Sequence, residues 1–124
     1  ELLPFEAAAE VGPRAVMVGH IVVPELTGDL PATLCADAIA LVPDAENTLI
    51  VTDSLAMGAI TDSYTPGEAA VQALQAGCDV LLMPDGLADA YDAVLAAVQN
   101  GTLSEDRLDL SVNKILRIKA QFCA

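Results

Sequence analysis

Three side chains able to do chemistry each stand just past an apolar run. Asp53 follows Leu49-Ile50-Val51-Thr52, inside the stretch TLIVTDSLAM at residues 48–57. His20 follows Ala15-Val16-Met17-Val18-Gly19, and Asp85 follows Val80-Leu81-Leu82-Met83-Pro84. An acid at the C-terminal lip of a buried parallel strand sits where α/β barrels place their chemistry. An acid in that position also commonly caps the following turn, so Asp53 alone decides nothing. Polar tips on one edge of a parallel sheet converge on one place, and that convergence is the case for a binding or catalytic site. Imidazole changes charge near neutrality, yet a lone histidine at a strand end more often positions its neighbours through hydrogen bonds.

The elements that must position these groups follow from the apolar pattern. Uninterrupted, β-branched runs suit strands buried on both faces, the kind found in parallel sheets covered by helices. Strands are predicted at residues 15–18, 49–51 and 79–83. Helices are predicted over 2–10, stopped by Gly12-Pro13, and over 33–41, with Leu34, Ala38 and Leu41 at helical spacing. Residues 23–31, rich in Pro and Gly, read as a loop. Thr65-Pro66-Gly67-Glu68 is a strong start signal, with an N-cap threonine, a proline at the first helical position and a glutamate at the third. That helix stops at Gly77. Another runs over 87–99 to Asn100-Gly101, and Ser104 opens a last one carrying Leu108, Val112, Ile115, Leu116 and Phe122. Three strand-loop-helix copies between two helices argue for an α/β fold with parallel strands and outer helices.

Composition narrows the partners. The 124 residues carry a formal charge of −13, and four of the five basic residues (Arg107, Lys114, Arg117, Lys119) fall in the last helix. Such an acidic surface repels phosphate backbones and argues against nucleic acid. Cys35, Cys78 and Cys123 are odd in number and form no CxxC pair, so neither a zinc site nor a disulfide framework is expected. No metal or cofactor is called for. The apolar stretches are too short to span a bilayer and no basic-then-apolar leader opens the sequence, which reads as soluble and globular.

Several motifs occur in a telling order: Val16-Met17-Val18-Gly19-His20-Ile21, Pro31-Ala32-Thr33-Leu34, Thr52-Asp53-Ser54-Leu55-Ala56-Met57, the run from Glu68 through Ala76-Gly77-Cys78-Asp79-Val80-Leu81-Leu82-Met83-Pro84, and Ser111-Val112-Asn113-Lys114-Ile115-Leu116-Arg117-Ile118-Lys119. Together they resemble the C-terminal part of the catalytic domain of family 3 glycoside hydrolases, nearest the bacterial β-N-acetylglucosaminidase (β-hexosaminidase) branch. The resemblance spans nearly the whole chain and implies a partial TIM barrel, the last three βα units of a (β/α)8 domain. It implies that Asp53 is the catalytic nucleophile, that His20 lies close to the substrate, and that Met57 walls the sugar pocket. Met57 also has a plain reading as core packing. The implied substrate is a β-linked N-acetylglucosaminide of peptidoglycan or chitin origin.

Retaining hydrolysis needs a carboxylate nucleophile and a second group that protonates the leaving oxygen and then activates water. Asp53 fits the first role. For the second, Asp62, Asp85 and His20 are the local options, whereas the resemblance puts the family's lysine-histidine motif and its acid/base histidine loop upstream of anything present here. Residues 42–47 also depart from the family, which usually has a longer helix and a Gly-containing turn there. The chain is therefore expected to be a fragment or a truncated homologue, inactive by itself, completed by the rest of a barrel or by self-association. A β-glucosidase of the same family and a non-catalytic sugar-binding piece are the alternatives. Phosphate binding is disfavoured because Asp53 and Asp85 occupy the loops that would hold the anion. A free-standing flavodoxin-like module would need a complete five-stranded sheet.

Overall fold

In the computed structural model, which describes residues 3–12 and 14–122, strand β2 (Leu49–Thr52) lies between two parallel neighbours. On one side β1 (Ala15–Val18) pairs with it in register, from Ala15 opposite Leu49 to Val18 opposite Thr52. On the other side Val80 makes a single parallel bridge to Val51. Leu2, Pro13 and Cys123 lie outside the described residues.

The third strand expected over 79–83 is thus cut to a bridge, for local reasons. Val80 N–H donates to Ile50 O and Val80 O accepts from Thr52 N–H, at 3.1 and 3.0 Å. One step later Leu82 N–H donates to the hydroxyl of Thr52 at 2.9 Å rather than to a main-chain carbonyl, so the ladder stops. Met83 then leaves the extended region with φ of 47°. Two regular parallel strands with a bridged third segment replace the three full strands of the expected partial barrel.

Seven α-helical segments surround this layer among the described residues. In order they are α1 (Leu3–Glu10), α2 (Pro24–Thr27), α3 (Ala36–Ile39), α4 (Gly58–Thr61), α5 (Pro66–Ala76), α6 (Leu87–Gln99) and α7 (Glu105–Phe122). The single helix expected over 33–41 is broken into a 3-10 turn (Ala32–Leu34) and the short α3, separated by Cys35 in extended conformation. Tertiary bonds win over propensity there. The Thr33 hydroxyl donates toward Gly19 O and Val18 O at 3.0 and 3.2 Å, and the Cys78 thiol donates to Thr33 O at 3.5 Å. α2 and α4 are single turns within stretches whose residues carry no helical periodicity.

α5 begins and ends as its residues dictate. Thr65 and Glu68 form a reciprocal capping box, and the hydrogen bonds from Thr65 hold the exposed Glu68 carboxyl below its ordinary pKa. At the other end Gly77, with φ of 117°, accepts the left-handed conformation, and Cys78 N–H returns to Ala73 O at 3.0 Å. The buried stripe Ala69, Ala70, Ala73 and Ala76 is small enough to bring α5 close to the sheet.

Alternation sorts the strand side chains into two faces. Ile50 and Thr52, at 1% and 0% exposure, point toward the helices and join Leu34, Leu55, Ile60, Ala73 and Cys78 in the core. Val18 packs on that cluster as well. The opposite face carries Met17, Leu49 and Val51, in register with one another or alternate along β2, and Met17 is 57% exposed. Burial on both faces, expected from the continuous apolar runs, is met on the helix side and only partly on the other. Among the described residues no helix is long and apolar enough to cross a membrane.

Candidate functional site

The parallel register puts the ends of β1 and β2 side by side, and the chemistry-bearing groups meet there. Asp53 N–H donates to Val18 O at 3.0 Å, continuing the ladder one step past β2. The residue is half-buried. Oδ1 accepts the Ser54 N–H at 2.7 Å, and Oδ2 has no hydrogen-bond partner among the described residues. One oxygen is therefore held while the other is open to a reacting atom.

His20, half-buried, lies across the same edge. Its Nε2 is 2.9 Å from Ser54 O and its Nδ1 is 2.8 Å from Thr33 Oγ1. A carbonyl only accepts, so Nε2 carries a proton and donates to Ser54 O. Thr33 Oγ1 also stands 3.0 Å from Gly19 O, so its single proton serves either Nδ1 or that carbonyl according to whether Nδ1 accepts or donates. Both ring nitrogens are engaged by the protein in either state.

Met57 is 45% exposed and precedes α4, where its carbonyl accepts from Ile60 N–H at 2.8 Å. Met57 is not part of the buried core formed by the described residues. Asp62, also exposed, folds back toward Gly58, with Oδ2 3.5 Å from the position a Cβ would take there. Asp85 is exposed and borders a hollow of about 370 Å³ with Tyr64, Thr65 and Glu68. The structure thus brings Asp53 and His20 together through Ser54, and seats Asp85 with a different set of neighbours. No group of three His, Cys, Asp or Glu side chains among the described residues is placed to hold a metal ion.

Two parts of this arrangement escape a reading of residue types. Thr33 and Ser54 are the anchors of His20, and their only signal is position, in Pro31-Ala32-Thr33-Leu34 and directly after Asp53. The other is a buried network at the opposite end of the layer. Asp79, with a fully buried side chain, accepts from Ile50 N–H, Ser111, Lys114 and Arg107. The spacing of Arg107, Ser111 and Lys114 along α7 was its available sign: steps of four and three place all three on one helix face.

A parallel layer with outer helices, and a carboxylate free on one oxygen at the C-terminal lip of its central strand, is the organisation of an α/β-barrel domain seen in part. Comparison with known proteins makes the assignment specific. The chain belongs to glycoside hydrolase family 3: residues 1–118 match the family described as Glycosyl hydrolase family 3 N terminal domain. It is 31% identical, over 96% of its length, to the β-hexosaminidase LpqI of Mycobacterium tuberculosis, of which it spans 33%. It is 30% identical, over 94% of its length, to a β-N-acetylglucosaminidase/β-glucosidase of Cellulomonas fimi, of which it spans 23%. Among solved structures, a family 3 β-N-acetylglucosaminidase from a Paenibacillus species superposes with a TM-score of 0.88 at 40% identity, over 96% of this chain and 24% of that one. The chain therefore spans a quarter to a third of these relatives. The unit it matches is the N-terminal domain of the family's proteins.

Proposed function

We propose that this chain is the Asp53-bearing portion, the last three βα units, of the N-terminal barrel domain of a retaining glycoside hydrolase that removes terminal β-linked N-acetylglucosamine. Asp53 attacks the anomeric carbon as the glycosidic C–O bond breaks and the leaving oxygen takes a proton from an acid outside these residues; water then hydrolyses the glycosyl-enzyme and restores the carboxylate. The observation that carries this reading is the Asp53 carboxylate: Oδ1 is held by Ser54 N–H while Oδ2 is free at the lip of β2. A fixed carboxylate oxygen is suited both to attack and to stabilise positive charge developing on the ring. Exposed Met57, a few residues on, supplies an apolar wall for the sugar.

The second catalytic group comes from outside these residues. Both nitrogens of His20 are occupied, Asp62 is turned back on Gly58, and Asp85 faces another hollow. Without a positioned acid, catalysis loses about 10²–10⁴-fold, so the 124-residue chain alone is inactive. The test uses the full-length enzyme and a slow fluorinated N-acetylglucosaminide whose glycosyl-enzyme persists. Peptide mass spectrometry should find the sugar on Asp53, and a label on another residue would overturn the assignment.

A β-glucosidase reading stands second because the Cellulomonas fimi relative carries both activities in its name. Rates on paired aryl β-glucoside and aryl N-acetyl-β-glucosaminide substrates decide between them.

A further inference from the structure

The peptide that joins Ser54 to Leu55 is held at both of its polar atoms. Its carbonyl accepts from His20 Nε2–H at 2.9 Å, and its N–H donates to Leu82 O at 2.9 Å. One peptide plane thereby ties together the ends of β1, β2 and the bridged third segment. Ser54 in turn holds Asp53 Oδ1 through its own N–H at 2.7 Å. His20 is itself anchored from behind by Thr33, which is fully buried and bonded to the backbone at the end of β1.

We propose that His20 is a positioning residue for Asp53, fixing the Ser54–Leu55 peptide so that the free carboxylate oxygen keeps its line of attack, and that it is not a ligand of the sugar. This goes against the role that the family resemblance implies for it, and it rests on the reading of Asp53 as nucleophile. The ring has no nitrogen to offer a hydroxyl without giving up Ser54 or Thr33. Removing it frees the carbonyl that sets Ser54, and misplacing a reacting group by about 1 Å costs on the order of 10²-fold in rate.

The test compares His20→Ala, His20→Gln and Thr33→Val in the full-length enzyme, on an aryl N-acetyl-β-glucosaminide. Positioning lowers kcat about 10²-fold in His20→Ala while KM stays near its original value. Glutamine, whose amide N–H reaches as far as Nε2, restores a large part of kcat. Thr33→Val, which leaves the bond to Ser54 but removes the anchor, falls between. A rise in KM with kcat preserved, or a glutamine variant no better than alanine, would overturn the proposal. If His20→Ala fails to fold, the glutamine and Thr33 variants carry the same comparison. Asp53→Gly assayed with and without azide keeps the two readings apart: loss of turnover restored by azide supports the nucleophile independently of His20, whereas retained turnover removes the nucleophile and the positioning role with it.

Discussion

Lys114 on α7 places its ammonium nitrogen 2.8 Å from Oδ2 of Asp79, whose side chain is fully buried. The same carboxylate takes Ile50 N–H at 3.0 Å and the Ser111 hydroxyl at 2.6 Å, with the Arg107 guanidinium at 3.5 Å. The last helix is therefore fastened to the central strand through one acid. Of the four basic residues of α7, Arg107 and Lys114 are counter-charges to this buried acid, whereas Arg117 donates to Glu46 O at the surface.

Asp79→Asn should destabilise the fold by about 3 kcal/mol, because it leaves buried cationic groups without their partner. Burial pushes the Asp79 carboxyl up, but bonds from Lys114, Ser111 and Ile50 outweigh that and hold its pKa below the ordinary value. A lowered folded-state pKa stabilises fully above the unfolded value of about 3.9, and that contribution is lost as pH falls through the folded value. The gap between wild type and Asp79→Asn, measured by urea denaturation, should be full at neutral pH and close in acid. A gap that widens on acidification would contradict this sign.

Gly67→Ala tests the approach of α5 to α6. A Cβ at Gly67 would stand 2.6 Å from the Cβ of Ala93 and 3.5 Å from Asp89 O. Alanine improves helix propensity by about 1 kcal/mol, but forcing the helices apart costs roughly 1–3 kcal/mol. The variant should unfold at lower denaturant. A gain in stability would mean that α6 shifts freely against α5.

Cys78 should resist alkylation in the native protein. Burial, with the neighbouring Asp79 charge next, pushes its thiol up to about 12, and the thiolate is the reactive form. Iodoacetamide followed by peptide mass spectrometry should modify Cys78 only after denaturation. Native modification would show that the Thr33–Cys78 contact opens readily.

Local chemistry made much of this readable. Thr65, Pro66, Glu68 and Gly77 each signal by residue type, and α5 begins and ends where they say. The strands at 15–18 and 49–52 are long enough in β-branched residues to be unambiguous, and their parallel register follows from the helices between them. What residue types do not show is which backbone groups a side chain will claim. Thr33 bonds to the end of β1 through its hydroxyl and to the Cys78 thiol through its carbonyl, and so breaks the expected helix, and Thr52 takes the Leu82 N–H that would have extended the third strand. Asp53 and His20 stood out because both end apolar runs, but the joint made by Ser54 is a backbone feature. Asp85 obeyed the same strand-end rule and is seated in a different hollow.

The isolated chain should associate with itself. β1 is the edge of the described sheet, so its outer backbone groups are open to another strand. Beside it, Phe5, Ala9, Val16, Met17 and Leu41 line an apolar groove of about 690 Å³, with Phe5, Met17 and Leu41 exposed by more than half of their surface. The sheet face carrying Met17 and Val51 is also incompletely covered, and in a closed barrel that face packs against side chains from the remaining strands. Contiguous apolar surface of this kind marks an interaction site or an aggregation liability. Sedimentation velocity at micromolar concentration should show dimers or larger species. Met17→Lys, which puts a charge on that face at the open edge, should shift the population toward monomer. A wild-type monomer with a compact sedimentation coefficient would mean that the chain closes its own edge.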